Sequence, residues 1–314
     1  MAEVRKIQKT GGSTYIVSLP KKWIVRQKLS KGASLLLSEN GDGSLSVRIG
    51  KQNPKTLSET EIFAGPNVER HLLEKYLLGY DIVKVSDGKE SLEKRKKELK
   101  NTLRFLLGYE IMEEASNRIV IHNLLNPSEI SISKSVRRMY TIVSVMHKDI
   151  IKSLKTGSKT LLKDVAQRDE EVNRLYFLVV RQIRKVLETP SLMDHEKISA
   201  PDCIDYRLVA RFIEQMGDSL QSIAESLLTL KKLPRQKQVL NYMENSYEMH
   251  QMASRGFFKK KELFALEAIS LGKNIKYDKI SESKDLAPII HNLIKLNDYT
   301  QDLADIVRTE YISE

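Results

Sequence analysis

Three hydrophobic patterns follow one another along the chain, and each predicts a different kind of structure. In the first fifty residues, apolar and polar positions alternate in short runs typical of half-buried strands. The apolar members of these runs are Val4, Ile7, Tyr15, Val17 and Leu19. Residues 59–127 mix strand-like runs with two helical stripes. From residue 131 onwards, apolar residues recur at three- and four-residue steps, as in amphipathic helices. The predicted fold class is therefore multidomain and mainly α.

The first fifty residues predict two β-hairpins joined by a short helix. Residues 10–12 form the first turn, and Pro20 is expected at the first helical position, where its missing N–H costs little. Asn-Gly-Asp-Gly at 40–43 separates apolar runs at 33–38 and 44–49 and indicates a second hairpin, because primed turns need positive φ. Four short strands enclose too small a core to be stable alone, so we expect two copies to pair.

The middle of the chain predicts a small α/β domain. Residues 51–58 are polar, contain Pro54 and predict a linker. No glycine-rich phosphate loop and no catalytic trio accompanies the segment that follows, so we expect it to connect other domains or support a dimer. Its predicted elements are helices at 68–78 and 91–107 and strands at 81–86, 109–112 and 118–122.

The last part of the chain predicts six helices in two related sets of three. A shift of 103 residues places Met146-His147 on Met249-His250, and a shift of 80 residues places Asp218 on Asp298. Such a repeat predicts duplicated three-helix units. Residues 188–203 are expected to form a longer segment between the second and third helices. The helices are predicted from residue 131, then at 158–187, 205–230, 238–258, 260–275 and 283–311.

The basic charge is concentrated near the start of the chain. Residues 1–58 hold eleven Lys and Arg against three acids, a net charge of +8. The other 256 residues hold 41 basic and 38 acidic residues, a net charge of only +3. This asymmetry is typical of a protein in which one part meets nucleic acid. The alternative is a basic face that is simply solvated.

Cysteine use and hydropathy bear on the compartment. The single cysteine, Cys203, cannot form an internal disulfide, and we interpret it as a buried thiol in a reduced, intracellular setting. The sequence shows neither a leader segment nor an uncharged apolar run of about eighteen residues. We therefore expect a cytoplasmic protein that does not insert into a membrane.

The first fifty residues also carry a family resemblance. RKIQKTGGSTYIVSLPKKW, a short helix, a glycine-containing loop and NGDGSLSVRI resemble the AbrB/MazE/SpoVT family of swapped-hairpin DNA-binding domains. The resemblance implies a homodimer in which two chains interlace their hairpins and present basic residues to double-stranded DNA. Some family members are antitoxins that bind a protein, so protein contact remains an alternative. The matching DNA-binding candidates are Arg5, Lys6, Lys9, Lys21 and Lys22.

Candidate chemistry in the helical part centres on acids. Glu214 and Asp218 are four residues apart and share one face of the third helix. Asp169 holds a matching position on the second helix, but Asn173 stands where the next acid would be. Acids at this spacing could hold a cation if another helix adds oxygen ligands, whereas a solvated charged face is the alternative.

The histidines and hydroxyls do not predict an enzyme. The six histidines lack metal or triad spacing, and Ser13 is better explained as a turn hydroxyl than as a nucleophile. His147 and His250 are equivalent in the repeat, and we interpret them as a shared packing or surface position. We therefore predict that the protein is not an enzyme.

The repeat and the acids together resemble the PhoU family. Its members are two three-helix bundles whose E/D-x-x-x-D motifs hold multinuclear metal clusters. RDEEVNRLYFLVVRQ and RFIEQMGDSLQSIAESL resemble the second and third helices of that family. The resemblance implies a divalent or ferric metal in the first bundle, at Asp169, Glu214 and Asp218. The equivalents in the second bundle include Gly272, Lys276 and Ile294, so no second metal site is expected there.

The two resemblances together imply a fusion similar to archaeal phosphate-uptake regulators. We expect a DNA-binding transcriptional regulator of phosphate homeostasis whose helical bundles sense or relay the signal. The alternative is an adaptor for a phosphate transporter ATPase or a sensor kinase, with the first domain used for dimerisation. The predicted domains are an AbrB/SpoVT-like domain at 1–52, an α/β connecting domain at 60–127, and PhoU-like bundles at 130–233 and 235–314.

Overall fold

The computed structural model describes residues 3–39, 43–49, 57–88, 90–126, 130–275 and 283–307. It divides the chain into two compact units, residues 1–56 and residues 57–314. The predicted turn residues 40–42, most of the predicted linker (51–56) and the predicted helix end at 308–311 lie outside the described residues.

The first unit contains two hairpins and one short helix. Strands β1 (Gln8–Thr10) and β2 (Thr14–Ile16) pair antiparallel, as do β3 (Leu35–Glu39) and β4 (Leu45–Ile49). Helix α1 (Lys21–Arg26) begins one residue later than predicted, because Pro20 is its N-cap and accepts hydrogen bonds from the N–H groups of Trp23 and Ile24. The order of elements follows the sequence pattern.

The hairpins of this unit have no buried side chain among those described. Val4 is 96% exposed, Ile7 71%, Tyr15 67% and Leu37 60%. Apolar residues in and next to these strands are thus exposed, and the described residues of the first unit enclose no core around them.

The second unit begins with a four-stranded sheet and two helices. The strand order is β5-β6-β8-β7, with β5 parallel to β6 and the other pairs antiparallel. Leu72, Leu99, Val83 and Ile121 belong to one apolar core that joins both helices to one face of the sheet. The elements are β5 (Glu59–Phe63), α2 (Val68–Leu77), β6 (Ile82–Ser86), α3 (Leu92–Leu103), β7 (Tyr109–Glu114) and β8 (Arg118–Asn123).

Helix α3 ends four residues before its predicted end at 107. The chain turns after Leu103 and enters β7 through Gly108, whose φ of +89° favours glycine. The leucines at 106 and 107 continue the apolar pattern into this turn, which is why the sequence suggested a longer helix.

The helical part has seven helices among the described residues. Helices α4, α5 and α7 pack on one another, α8, α9 and α10 do the same, and α7–α10 and α4–α8 contacts join the two sets. One continuous apolar core runs through both sets and includes Cys203, which is buried as predicted. The helices are α4 (Ile132–Thr156), α5 (Lys159–Glu188), α6 (Pro190–Glu196), α7 (Ala200–Thr229), α8 (Gln236–Lys259), α9 (Glu262–Asn274) and α10 (Ala287–Asp305).

The expected interruption at 188–203 was wrong in part. It contains helix α6, and α7 begins at Ala200 rather than at 205. Ser199 and Asp202 form a capping box in which the Ser199 side chain accepts from the Asp202 N–H and the Asp202 side chain accepts from the Ser199 N–H. This reciprocal cap satisfies backbone donors and starts the helix early.

A cationic contact joins the α/β part to the bundle. Arg181 on α5 donates to the carbonyl oxygens of Tyr76 and Tyr80, each at 2.8 Å. Lys185 donates to the carbonyl of Gly79 and to Asp81 Oδ2, both at 3.2 Å. Because these groups cluster at the C-terminal end of α2, where carbonyls lack helical partners, the cations complete that end.

Among the described helices, none is long and apolar enough to cross a membrane.

Candidate functional site

The five predicted DNA-binding residues all lie on the surface of the first unit. Arg5 and Lys6 precede β1, Lys9 is within it, and Lys21 and Lys22 form the first turn of α1. Arg5 forms an ion pair with Glu3. The first turn of α1 contains no acid, although acids are favoured at this end of a helix and cations are disfavoured. Two lysines at this helix end therefore do not favour the local stability of α1.

The predicted acids of the helical part do come together at the contact between α5 and α7. Asp169 is 4% exposed and Glu214 is 8% exposed. Asn173 donates from Nδ2 to Asp169 Oδ2 at 2.7 Å. A Cβ atom at Gly217 would lie 2.9 Å from Asp169 Oδ1, so the glycine lets α7 approach this carboxyl closely.

Burial and mutual repulsion make this cluster bind protons. Burial, followed by the negative charge of Asp218, raises the pKa of Asp169 to about 7. The same two causes raise the pKa of Glu214 to about 7, although Arg211 opposes them. Burial also raises the pKa of Asp218. Near neutral pH, protonation of one of these carboxyl groups can therefore reduce the repulsion between them, as a bound cation would.

The partners of the cluster limit which metal it could accept. Asp169 Oδ1 is shielded from solvent and has no hydrogen-bond partner among the described residues. In contrast, Arg211 Nη1 donates to both oxygens of Glu214, at 3.0 and 2.8 Å. Within the described ranges, no group of three or more His, Cys, Asp and Glu side chains is arranged to hold a metal ion. As they stand, these side chains do not fit a multinuclear cluster, and metal binding stays a prediction.

The second set of helices lacks the corresponding acids. Gly272 on α9 lies against the Met249 side chain, and Ile294 on α10 is 37% exposed. Burial raises the pKa of Asp298. Lys276, the other predicted equivalent, lies outside the described residues.

Two histidines that are 103 positions apart in the sequence are in contact in the structure. His147 and His250 are fully buried, and their rings stack with centroids 5.8 Å apart between α4 and α8. His147 Nε2 lies 3.0 Å from the Met243 carbonyl, and burial lowers the pKa of His147 to about 4. The 103-residue repeat gave a signal for this contact, because equivalent helices of a duplicated unit can meet at equivalent positions. Of the two interpretations, packing is correct and surface exposure is wrong.

The helical part thus belongs to the class of paired three-helix sets, with a buried acid cluster between the second and third helices of the first set, α5 and α7. Residues 136–227, which hold that cluster, match the PhoU domain. No curated protein matches the chain significantly. These residues are therefore similar to a PhoU domain, and the match supports a phosphate-homeostasis regulator family. The first unit, the α/β part and α8–α10 lie beyond the matched residues.

Proposed function

We propose that the chain is a DNA-binding transcriptional regulator of phosphate uptake. In this proposal the first unit is a basic DNA-binding head, and the heads of two copies interlace on double-stranded DNA. The helical part senses or relays phosphate status. The observation that supports this most is the exposure of the apolar strand residues in the first unit.

Pairing of two heads would remove this apolar surface from water. An isolated two-stranded hairpin is at best marginally stable, and the two hairpins here form separate sheets. Burying a side chain such as Leu37 or Ile7 is worth about 1.5–3 kcal/mol. A second copy offers the same apolar faces, so interlaced pairing is the simplest way to give both heads a core.

The charge of the head suits a DNA backbone. Lys9, Lys21 and Lys22 are exposed, and none forms an ion pair or side-chain hydrogen bond with another described residue. Lysines that bind phosphates release counterions, so affinity should fall steeply with salt, with a slope of about 0.9 per neutralised phosphate.

Gel shifts on genomic DNA fragments at two salt concentrations test the proposal. The wild type is compared with the double variant Lys21→Gln/Lys22→Gln and with Lys231→Gln/Lys232→Gln, which removes an adjacent exposed pair from the second unit. We expect weaker binding only in the first variant. Absence of any shift with the wild type at low salt would contradict DNA binding.

An adaptor is the second candidate, and the PhoU match favours it because such domains act through protein contact. Its partner would be a phosphate transporter ATPase or a sensor kinase, with the head used for dimerisation. Residues 57–314 contain both apolar cores and suit a headless chain for pull-down. Retention of the partner by that chain supports the adaptor, whereas capture only by the full chain argues against it.

A cation at Asp169, Glu214 and Asp218 is a separate proposal. The unpartnered Oδ1 of Asp169 supports one divalent or ferric ion there, provided that Glu214 exchanges Arg211 for the metal. Elemental analysis of the purified full chain tests it. Less than one equivalent of metal per chain would count against a resident ion.

A further inference from the structure

Arg174, at the middle of α5, is half-buried, and one of its N–H donors has no acceptor. Its Nε atom is shielded from solvent and has no hydrogen-bond partner. No side-chain hydrogen bond or ion pair to Arg174 occurs among the residues that the structure describes. A guanidinium N–H that is removed from water without an acceptor destabilises the fold, so an unfilled donor here calls for an explanation.

The side chain of Arg174 reaches a cleft of about 600 Å³ between α3 and α5. The other lining residues are Asn101, Arg104, Phe105 and Glu170. Arg104 is the C-cap of α3 and is exposed, and its guanidinium also has no side-chain partner within the described chain. Two free arginines, one from the α/β part and one from the bundle, therefore meet at one cleft.

The neighbouring acids do not neutralise these arginines. Glu170 lines the same cleft but forms no ion pair with either arginine. Three other nearby acids are already engaged: Glu98 with Arg95, Glu114 with Lys96 and Lys100, and Glu171 with Arg138. Glu110 lines an adjoining cleft with the same two arginines and forms no ion pair with either. The cleft therefore holds two unpaired guanidinium groups against one unpaired carboxylate.

We propose that Arg104 and Arg174 bind a phosphate-type oxyanion in this cleft. The forked N–H groups of arginine match the oxygens of such an anion, and the Asn101 amide can add a further donor. Glu170 would accept a hydrogen bond from a protonated phosphate oxygen or from a hydroxyl next to it. Phe105 offers an apolar wall to an organic part of the ligand.

The place of the cleft gives the bound anion a consequence. It lies where the end of α3 faces α5, so an anion held by both arginines bridges the sheet-containing part and the helical part of the second unit. This binding does not depend on DNA recognition by the head, and the two proposals can fail separately. The oxyanion has two sources, a free phosphate or phosphate ester and the DNA backbone.

Calorimetric titration of the full chain with inorganic phosphate, and separately with duplex DNA, tests the site. We compare the wild type with Arg174→Gln and Arg104→Gln. Arg184→Gln is the matched control, because Arg184 is exposed on the same helix and lines none of the clefts that contain Arg174. We expect each cleft variant to weaken binding by about tenfold or more, as for loss of a charge-assisted hydrogen bond.

The pattern of losses separates the sources. Weaker binding of inorganic phosphate assigns the cleft to a free anion, and weaker binding of duplex DNA alone assigns it to the DNA backbone. Equal affinities of both cleft variants, Arg184→Gln and the wild type for both probes would overturn the proposal. Arg104 is exposed, so its variant keeps the test valid if Arg174→Gln fails to fold.

Discussion

The two units of the chain treat their apolar residues in opposite ways. Leu37 in β3 is 60% exposed, whereas Leu220 in α7 is fully buried, although both belong to clear hydrophobic patterns. The second unit closes its own core around such residues, and the described part of the first unit does not. A hydrophobic pattern thus predicts which face of an element is buried in the assembled protein, but not whether the same chain or another one buries it.

Basic residues differ between the units as well. In the second unit many cations have acid partners, for example Lys155 with Glu244 and Arg168 with Asp149. In the first unit, Lys9, Lys21 and Lys22 have none among the described residues. Exposed apolar faces beside unpaired cations are what an interlaced DNA-binding dimer would need before assembly.

The largest effect is expected from a charge placed in the head. Leu19→Asp or Trp23→Asp should abolish both dimerisation and DNA binding, because a carboxylate in the shared core would be buried without a partner. Light scattering after gel filtration and gel shifts measure the two losses. Leu263→Asp is the control, since Leu263 is 65% exposed in the second unit. A Trp23→Asp variant that stays dimeric and binds normally would contradict the interlaced head.

A matched pair of truncations sharpens the contrast in burial. Leu220→Ala should lower the free energy of unfolding by about 2–5 kcal/mol, because it leaves a cavity in the second unit. Leu37→Ala should lower the free energy of unfolding by about 1–3 kcal/mol if a second copy covers Leu37. If Leu37 stays exposed, the change should be within about 0.5 kcal/mol.

The chain allows both truncations to be followed in one urea titration. Trp23 is the only tryptophan, so its fluorescence reports the first unit, while circular dichroism reports the helices of the second. A cost for Leu37→Ala that does not depend on protein concentration would argue against a second copy as the cover.

The sequence predicted the helical stripes well, and its errors lie where helices begin or end. The start of α4 and both ends of α5 lie one residue from their predicted positions, because a long apolar stripe restricts where a helix can begin and end. A longer segment between helices was expected at 188–203, because the repeat shift changes from 103 to 80 residues across it, and Thr189-Pro190 was expected to end the second helix. Pro190 and Pro201 instead stand in the first turns of α6 and α7, where proline costs no hydrogen bond.

The candidate site was predictable only in part. Spacing and the family resemblance brought Asp169, Glu214 and Asp218 together, since acids four residues apart share a helix face. Their hydrogen-bond partners were less predictable, because the bonds from Asn173 to Asp169 and from Arg211 to Glu214 depend on side-chain geometry. The Arg174 cleft gave no signal at all, because it joins residues about seventy positions apart through tertiary packing.

A smaller effect is expected from acid on the second unit. Burial lowers the pKa of His147 to about 4, well below its usual value. A histidine whose native pKa is depressed contributes stability above its unfolded pKa, near 6.5, that is lost as pH falls. Between pH 6.5 and 5 this loss should reach about 2 kcal/mol. Asp169 and Glu214, with raised pKa values, change stability in the opposite direction over this range.

The variant His147→Gln isolates the histidine from these acids. Glutamine keeps a donor for the Met243 carbonyl but does not titrate in this range. Urea unfolding at pH 5 and 7, followed by circular dichroism, should show a smaller difference between the two pH values for the variant than for the wild type. An unchanged difference would mean that His147 is charged or solvated in the folded protein.

The smallest effect is expected on the salt dependence of DNA binding, and it tests whether lysines of the first unit bind DNA while lysines of the second unit do not. Lys9→Gln should lower the salt slope of DNA binding by about 0.9 per DNA-bound site, because one phosphate contact is lost. Lys163→Gln, an exposed lysine of α5, should leave the slope unchanged. Fluorescence anisotropy of labelled duplex DNA over a salt series measures both. An equal fall in slope for both variants would place Lys163 on the DNA surface, and the contrast between a DNA-binding head and a separate body would then fail.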